Sequence, residues 1–210
     1  MKIHTFVLGD YGTNCYCLRS TESAKDCLII DAGLDADKMI SALVQKELNP
    51  LALILTHGHI DHIAGVNDLR EKFPDVKVYI HRLDAEMLVD PMCNLSVMMG
   101  DSFKTKPADC LVEDGDIIEL AGIKLHVFHT PGHTPGGISL YSPGQGVVFS
   151  GDALFADSVG RTDFPGGNMT QLVSGIKEKL FTLPDDTEVF PGHGPATTIE
   201  REKNYNQYLS

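Results

Sequence analysis

The chain has 210 residues, 42% of them hydrophobic, enough to bury one full core and in the size range of one large domain or two small ones. Its 29 acidic side chains outnumber 17 basic ones, giving a net charge of −12 that two bound divalent cations would leave acidic, which argues against a nucleic-acid backbone as partner. No run approaches ~18 apolar residues, and the opening Met1-Lys2-Ile3-His4-Thr5 lacks an apolar signal core, so neither a membrane partner nor an export signal is expected and the cytoplasm is the expected address.

Runs rich in Val, Ile, Leu, Phe and Thr predict strands at 2–8, 14–19, 26–31, 51–55, 76–80, 117–120, 123–129, 137–141, 146–150 and 188–190. Helical spacing predicts helices over 36–48, 62–73, 169–182 and 198–209, the first capped by Asp35 and the last opened by a capping box at Thr197-x-x-Glu200. No Pro/Ser linker or low-complexity stretch divides residues 1–210, which therefore read as one domain. An early run of strands, then alternating strand and helix, fits an α/β chain with two sheets packed inside outer helices. The five cysteines are an odd number without the pattern of a disulfide framework. Cys15 and Cys17 fall on one face of their strand, where Cys behaves as a small hydrophobe, and a reduced state suits the cytoplasm.

The most informative segment follows the fourth strand. Residues 56–62 read Thr-His-Gly-His-Ile-Asp-His, a density of metal-ligating groups that packing alone rarely calls for. On a helix His57 and His59 would point about 200° apart, so the site must sit off a helix, at a strand end. The same grammar of apolar strand, Gly-containing turn and ligand type recurs along the chain. Leu51–Leu55 leads into His57, Ile123–His129 into Thr-Pro-Gly-His133, Gly146–Ser150 into Gly-Asp152, and Glu188–Phe190 into Pro-Gly-His193. Four strands thus deliver ligands from their C-terminal ends, where open α/β sheets place their sites. Imidazole with carboxylate favours Zn²⁺ and also suits Fe or Mn. Two such ions a few ångströms apart share a water and lower its pKa from 15.7 to roughly 7, so hydrolysis needs no Ser or Cys nucleophile. Asp61 opens the periodic run Ile63, Val66, Leu69, Phe73, at a helix N-terminus that favours negative charge, and is placed both to ligate and to orient or deprotonate the attacking water.

The H-x-H-x-D-H segment, with His133 after Thr-Pro-Gly, Asp152 after Ser-Gly and His193 in Pro-Gly-His-Gly, resembles the metallo-β-lactamase superfamily, and within it the glyoxalase II-like (hydroxyacylglutathione hydrolase-like) enzymes. The likeness runs from Thr13-Asn14-Cys15-Tyr16 to Pro191–Pro195. It implies an αβ/βα four-layer sandwich. It assigns His57, His59 and His133 to a first metal, Asp61, His62 and His193 to a second, and Asp152 to a bridge, with a small molecule as substrate. The family's diiron oxygen-reducing branch carries Glu where this chain has His59. Glyoxalase II enzymes that take glutathione thioesters show a Gly-Lys-Phe-Tyr type sequence near residue 160 and add a C-terminal helical domain; this chain has Arg161-Thr162 and ends one helix after His193, so that domain is not expected here. The resemblance therefore points to a small glyoxalase II-like hydrolase that cleaves a thioester or related ester by attack of a metal-bridging hydroxide. Two alternatives stand beside it. Gly160–Phe164 also resembles the loop of persulfide dioxygenases, which use one iron and O₂, and the fold can survive as a non-catalytic metal-binding module, although such copies usually lose ligands.

Some residues keep two readings. Arg161 either holds a substrate carboxylate or pairs with Asp163. The segment 87–112 is either a lid or a surface insertion, with Met92, Met98 and Met99 lining a pocket or packing beneath the loop. His129 either supports a ligand or is structural, His4 and His81 read as ordinary, and His126 faces away from its apolar neighbours.

Overall fold

In the computed structural model, which describes all 210 residues, two six-stranded sheets pack between layers of helix. The first sheet runs in chain order: β1 (Lys2–Leu8), β2 (Thr13–Arg19), β3 (Asp26–Ile30), β4 (Asn49–Ile54), β5 (Lys77–His81) and β6 (Cys110–Val112). Its first three strands pair antiparallel, and β3 to β6 pair parallel. Parallel pairs need crossovers. These are α1 (Asp37–Gln45) between β3 and β4, and α2 (Ile60–Ile63) with α3 (Val66–Lys72) between β4 and β5. The second half supplies β7 (Ile117–Leu120), β8 (Ile123–His129), β9 (Ile138–Ser142), β10 (Val147–Gly151), a small hairpin of β11 (Leu154–Phe155) and β12 (Ser158–Val159), α4 (Met169–Gly175), β13 (Glu188–Pro191), β14 (Thr197–Thr198) and α5 (Ile199–Tyr205). The order of the second sheet is β14-β13-β10-β9-β8-β7, with only β10 and β13 parallel.

Residue parity along the central strands sorts the core into slabs, because successive side chains of a strand face opposite ways. On β2, β3 and β4 the residues Cys15, Cys17, Cys27, Ile29 and Leu53 join the cluster under α1 and α3, together with Met39, Leu43, Val66 and Leu69. Their alternates Tyr16, Leu18, Leu28, Ile30, Ala52 and Ile54 face the other sheet, meeting Leu125, Val127, Leu140 and Phe149. On the far side Val148 and Val189 turn outward to Leu172, Ile176 and Ile199. Three apolar slabs between four layers make the αβ/βα sandwich expected from the family likeness. All five cysteines are free thiols, and the buried Cys15 and Cys17 pack as expected. No helix is long and apolar enough to cross a membrane.

Several elements differ from the sequence-based expectation. The single helix over 62–73 is two, α2 and α3, because the turn after β3 hydrogen-bonds into the break: Ala32 N donates to His62 O at 2.9 Å and Gly65 N to Ala32 O at 2.8 Å. The helix over 169–182 is α4 continued by one wider π turn at Ile176–Leu180. Asp35 does not cap α1; it sits at φ 57°, and Ala36 takes the cap position without a side-chain bond. The capping box does not form, since Thr197 belongs to β14 and donates instead to the buried Glu202 at 2.6 Å, while Thr198 takes the cap position and accepts from Arg201 N. The last helix also ends at Tyr205 rather than 209. The short strands β6, β11, β12 and β14 carry too few residues for an alternation signal.

Candidate metal centre

The two sheets are stitched together where their strands end. Thr13, at the start of β2, makes an isolated antiparallel bridge with His193, just past β13. Beside it Asn14 N donates to Gly192 O at 2.7 Å, Asn14 Nδ2 donates to Pro191 O and Gly194 O at 3.0 and 2.9 Å, and the Tyr16 hydroxyl donates to Pro191 O at 2.6 Å. On the other flank Ile138 N donates to Thr56 O at 2.9 Å. These bonds bring the end of β4 in one sheet against the ends of β8, β10 and β13 in the other.

All seven residues expected as ligands meet at this seam. Their donor atoms form three overlapping groups, each with its atoms within 4.8 Å of one another: His57, His59 and His133; His57, His62 and Asp152; and Asp61, His62 and His193. His59 Nδ1 lies 2.9 Å from His133 Nε2, and His62 Nε2 lies 3.2 Å from His193 Nε2. Asp152 stands between the groups, with Oδ1 3.3 Å from His62 Nε2 and Oδ2 3.5 Å from both His133 Nε2 and His193 Nε2. Asp61 Oδ2 is 3.2 Å from His193 Nε2 and 3.6 Å from His62 Nε2, and accepts a long bond from the Thr13 hydroxyl at 3.5 Å.

Bonds on the outer side of the rings fix which nitrogen faces inward. His62 Nδ1 donates to Asp31 Oδ2 at 2.8 Å, His133 Nδ1 to Arg161 O at 2.8 Å, and His193 Nδ1 to Tyr11 O at 3.0 Å. Thr56 spends its own proton on Asp31 at 2.7 Å, so its oxygen accepts from His57 Nδ1 at 3.2 Å. With each Nδ1 holding a proton outward, the neutral ring aims the Nε2 lone pair at the centre, which is how a metal-ligating imidazole is oriented. Buried His57 Nε2 and Asp152 Oδ1 have no hydrogen-bond partner at all. An unpaired buried acceptor is costly, and a divalent cation would satisfy both, so the residues present fit a metal centre.

The electrostatics agree. Burial lowers the pKa of His57 well below its ordinary value, and the surrounding imidazoles push it the same way. Burial and then His133 bring His59 down to about 3. Burial works against ionised Asp61 and Asp152, yet the imidazoles, His62 foremost, hold both carboxyls below their usual range. Burial likewise opposes a charge on His62, but Asp152, Asp61 and Asp31 together raise it well above the ordinary imidazole value; His193 is raised in the same sense by Asp61 and Asp152. The buried carboxylates thus call for positive charge between them, which protons or metal ions can provide.

Asp31 is a site residue that the sequence pattern does not mark, because it follows the strand Leu28-Ile29-Ile30 directly and Gly33 comes only after it. It is buried and also accepts from Thr56 N at 2.8 Å, so it orients His62 directly and His57 through Thr56. Neither reading of 87–112 as a lid nor of its methionines as pocket lining or buried packing holds. Met92 and Met98 are 67% and 69% exposed, because two turns of 3₁₀ helix fold the segment beneath the His57–His59 loop, where Asn94 O accepts from Ile60 N at 2.9 Å. The opening above the centre is instead a cavity of about 490 Å³ walled by Tyr11, Phe155, Val159, Arg161 and Phe164, with Asp61, His133, Asp152 and His193 at its floor. Arg161 realises the internal pair, binding Asp163 through two 2.7 Å bonds and lying 4.1 Å over the Phe164 ring. His129 touches no ligand; its Nε2 donates to Pro135 O at 2.9 Å and its ring stacks on buried His81 at 4.1 Å, so neither is an isolated histidine.

Residues 8–193 match the family model described as the Metallo-beta-lactamase superfamily. The probable metallo-hydrolase YqgX of Bacillus subtilis (strain 168) is 40% identical over 211 residues, covering 100% of this chain and 98% of that protein. The hydroxyacylglutathione hydrolase GloC of Haemophilus influenzae is 34% identical over 214 residues, with coverage of 100% and 99%. Among solved structures, the BLEG-1 B3 metallo-beta-lactamase aligns with a TM-score of 0.94 at 40% identity over 100% of both chains. TTHA1623 in a di-iron-bound form gives 0.85 at 36% identity, covering 98% of this chain and 100% of that one, and ETHE1 from Myxococcus xanthus gives 0.81 at 30%, covering 99% and 84%.

A β-carbon at Gly192 would collide with Asp152 Oδ1 and lie 2.8 Å from His62 Cε1. Gly192→Ala is therefore expected to cost ~1–3 kcal/mol of stability and to weaken metal binding at least ~10-fold. Elemental analysis of the folded variant checks this, and wild-type metal content would contradict the packing argument.

Proposed function

This chain belongs to the metallo-beta-lactamase superfamily, and we propose that it is a dinuclear-metal hydrolase cleaving a thioester or related small ester. The observation that carries the reading is the convergence of five imidazoles and two carboxylates, arranged as three overlapping groups at the floor of an open cavity. His57, His59 and His133 would hold one ion, Asp61, His62 and His193 the other, and Asp152 would span both. When bound, two divalent ions supply a water of lowered pKa and a Lewis acid for the acyl carbonyl. The donor set favours Zn²⁺ and accommodates Fe or Mn, and the di-iron form of TTHA1623 supports keeping iron in view.

The remaining roles belong to the chain itself. Asp61 lies at the cavity floor with its carboxyl held ionised, so one oxygen can stay on the centre while the group orients water or takes its proton. Thr13, donating to the same carboxylate, limits its rotation. Tyr11, Phe155 and Phe164 offer apolar walls for the acyl or thiol portion, and the likeness to GloC supports a thioester in preference to other esters. Arg161 sits on that wall at the exposed end, where exchange of its Asp163 partner for a substrate carboxylate would make it a substrate-binding residue. The retained full donor set speaks against a non-catalytic module. The loop Gly160–Phe164 keeps a mononuclear-iron, persulfide dioxygenase-like enzyme as the competing reading, and metal count separates the two.

Protein reconstituted with Zn²⁺ is expected to approach two ions per chain by elemental analysis. Saturation at one, together with O₂ uptake on a persulfide, would establish the competing reading instead. Asp61→Asn keeps the size of the side chain and removes its charge and basicity; kcat on a thioester should fall ~10²–10⁴-fold, and an unchanged kcat at full occupancy would exclude Asp61 from water activation. For Arg161→Ala, KM should rise about ten-fold or more for carboxylate-bearing thioesters and little for neutral ones of similar size. Equal effects on both would leave Arg161 as a loop-ordering residue.

A further inference from the structure

Asp84 does not line the cavity; it sits in the 3₁₀ turn after β5, and its exposure is 0%. A carboxylate buried this completely is costly unless donors surround it, and burial does push its pKa up while its hydrogen bonds oppose that. The donors come from two places only. Gly58 N, between His57 and His59, donates to Oδ2 at 3.2 Å; the Thr134 hydroxyl, next to His133, donates to the same oxygen at 2.7 Å; and Gly136 N donates to Oδ1 at 2.6 Å. An ionised carboxylate is acceptor-only, which suits a position facing three donors.

The surroundings make this junction tight. Gly58 approaches Met87 of the same 3₁₀ turn so closely that a β-carbon would collide with the Met87 side chain. At Gly136 a β-carbon would lie 2.6 Å from Asp84 N and Oδ1. Asp84 contacts none of the residues that orient the other group: His62 is held by Asp31, His193 by Tyr11, and Asp61 by Thr13. Asp31 reaches both groups, through His62 and through Thr56 to His57, whereas the bonds of Asp84 reach only the loops of the His57–His59–His133 group.

We propose that Asp84 is the positioning residue for the His57–His59–His133 group, clamping the loop from the first sheet to the loop from the second so that three imidazoles meet at one point. The inference rests on the dinuclear reading above. It assigns Asp84 no contact with substrate or with the reacting atoms; its effect is on the geometry, and so the affinity, of one ion.

The test is a Zn²⁺ titration against a chromogenic chelator for wild type, Asp84→Ala, Asp61→Asn and the double variant, with melting of each metal-free protein alongside. Asp84→Ala is expected to retain one ion at wild-type affinity and to bind the other roughly 10- to 100-fold more weakly. Asp61→Asn should weaken the complementary ion, and the double variant should hold neither tightly. Thr134→Val removes a single donor at similar side-chain size and should shift the same ion as Asp84→Ala by a smaller factor; it carries the test if Asp84→Ala fails to fold. The proposal is overturned if the Asp84→Ala isotherm coincides with wild type, if both ions weaken in parallel with a fall in metal-free melting temperature, or if the double variant matches Asp61→Asn. A wild-type stoichiometry of one would refute the dinuclear reading alone, and Asp84 would then stand or fall on whether that one ion weakens.

Discussion

Three carboxylates are buried or nearly so at one seam, and no Lys or Arg side chain reaches them. Asp31, Asp61 and Asp152 face only hydroxyls, backbone N–H groups and imidazoles. Uncompensated negative charge in such a place is among the most expensive things a fold can contain. Much of the local structure answers that demand. The rings turn their protons outward to carbonyls and to Asp31, leaving lone pairs inward. The glycine before His193 lets the backbone pass close to Asp152. A cation between the carboxylates therefore completes an arrangement that the protein chain leaves electrostatically open, and water activation follows from meeting the structural need.

How far the sequence revealed this depends on the distance over which each signal acts. His57, His59, Asp61 and His62 were legible because their spacing forbids a helix and their chemistry is shared. His133, Asp152 and His193 were legible because each follows an apolar strand and a glycine, a local pattern that records a strand end even when its spatial neighbours are unknown. Asp31 follows its strand with no glycine between, so that pattern does not mark it. The slabs of the core were implicit in the alternation along β2 to β4, where odd and even residues divide between two clusters.

Other features had no local signature. Asp84 precedes no glycine turn, and its partners lie 26, 50 and 52 residues away in the chain. The break between α2 and α3 comes from a turn that arrives from β3, so the apolar periodicity of 62–73 runs through it unchanged. The Met-rich stretch left pocket lining and packing beneath the loop both open, because sequence hydropathy cannot say which side of a loop meets solvent. In each case a tertiary contact overrides a local preference.

The bonds between Asn14 and the turn at Pro191–Gly194 span as many as 180 positions of the chain. Contacts of such sequence separation are the ones that slow folding, because long loops must close before they form. The Asp61–His62–His193 group is closed by that same junction, so its geometry depends on the start of β2 being held against the turn after β13.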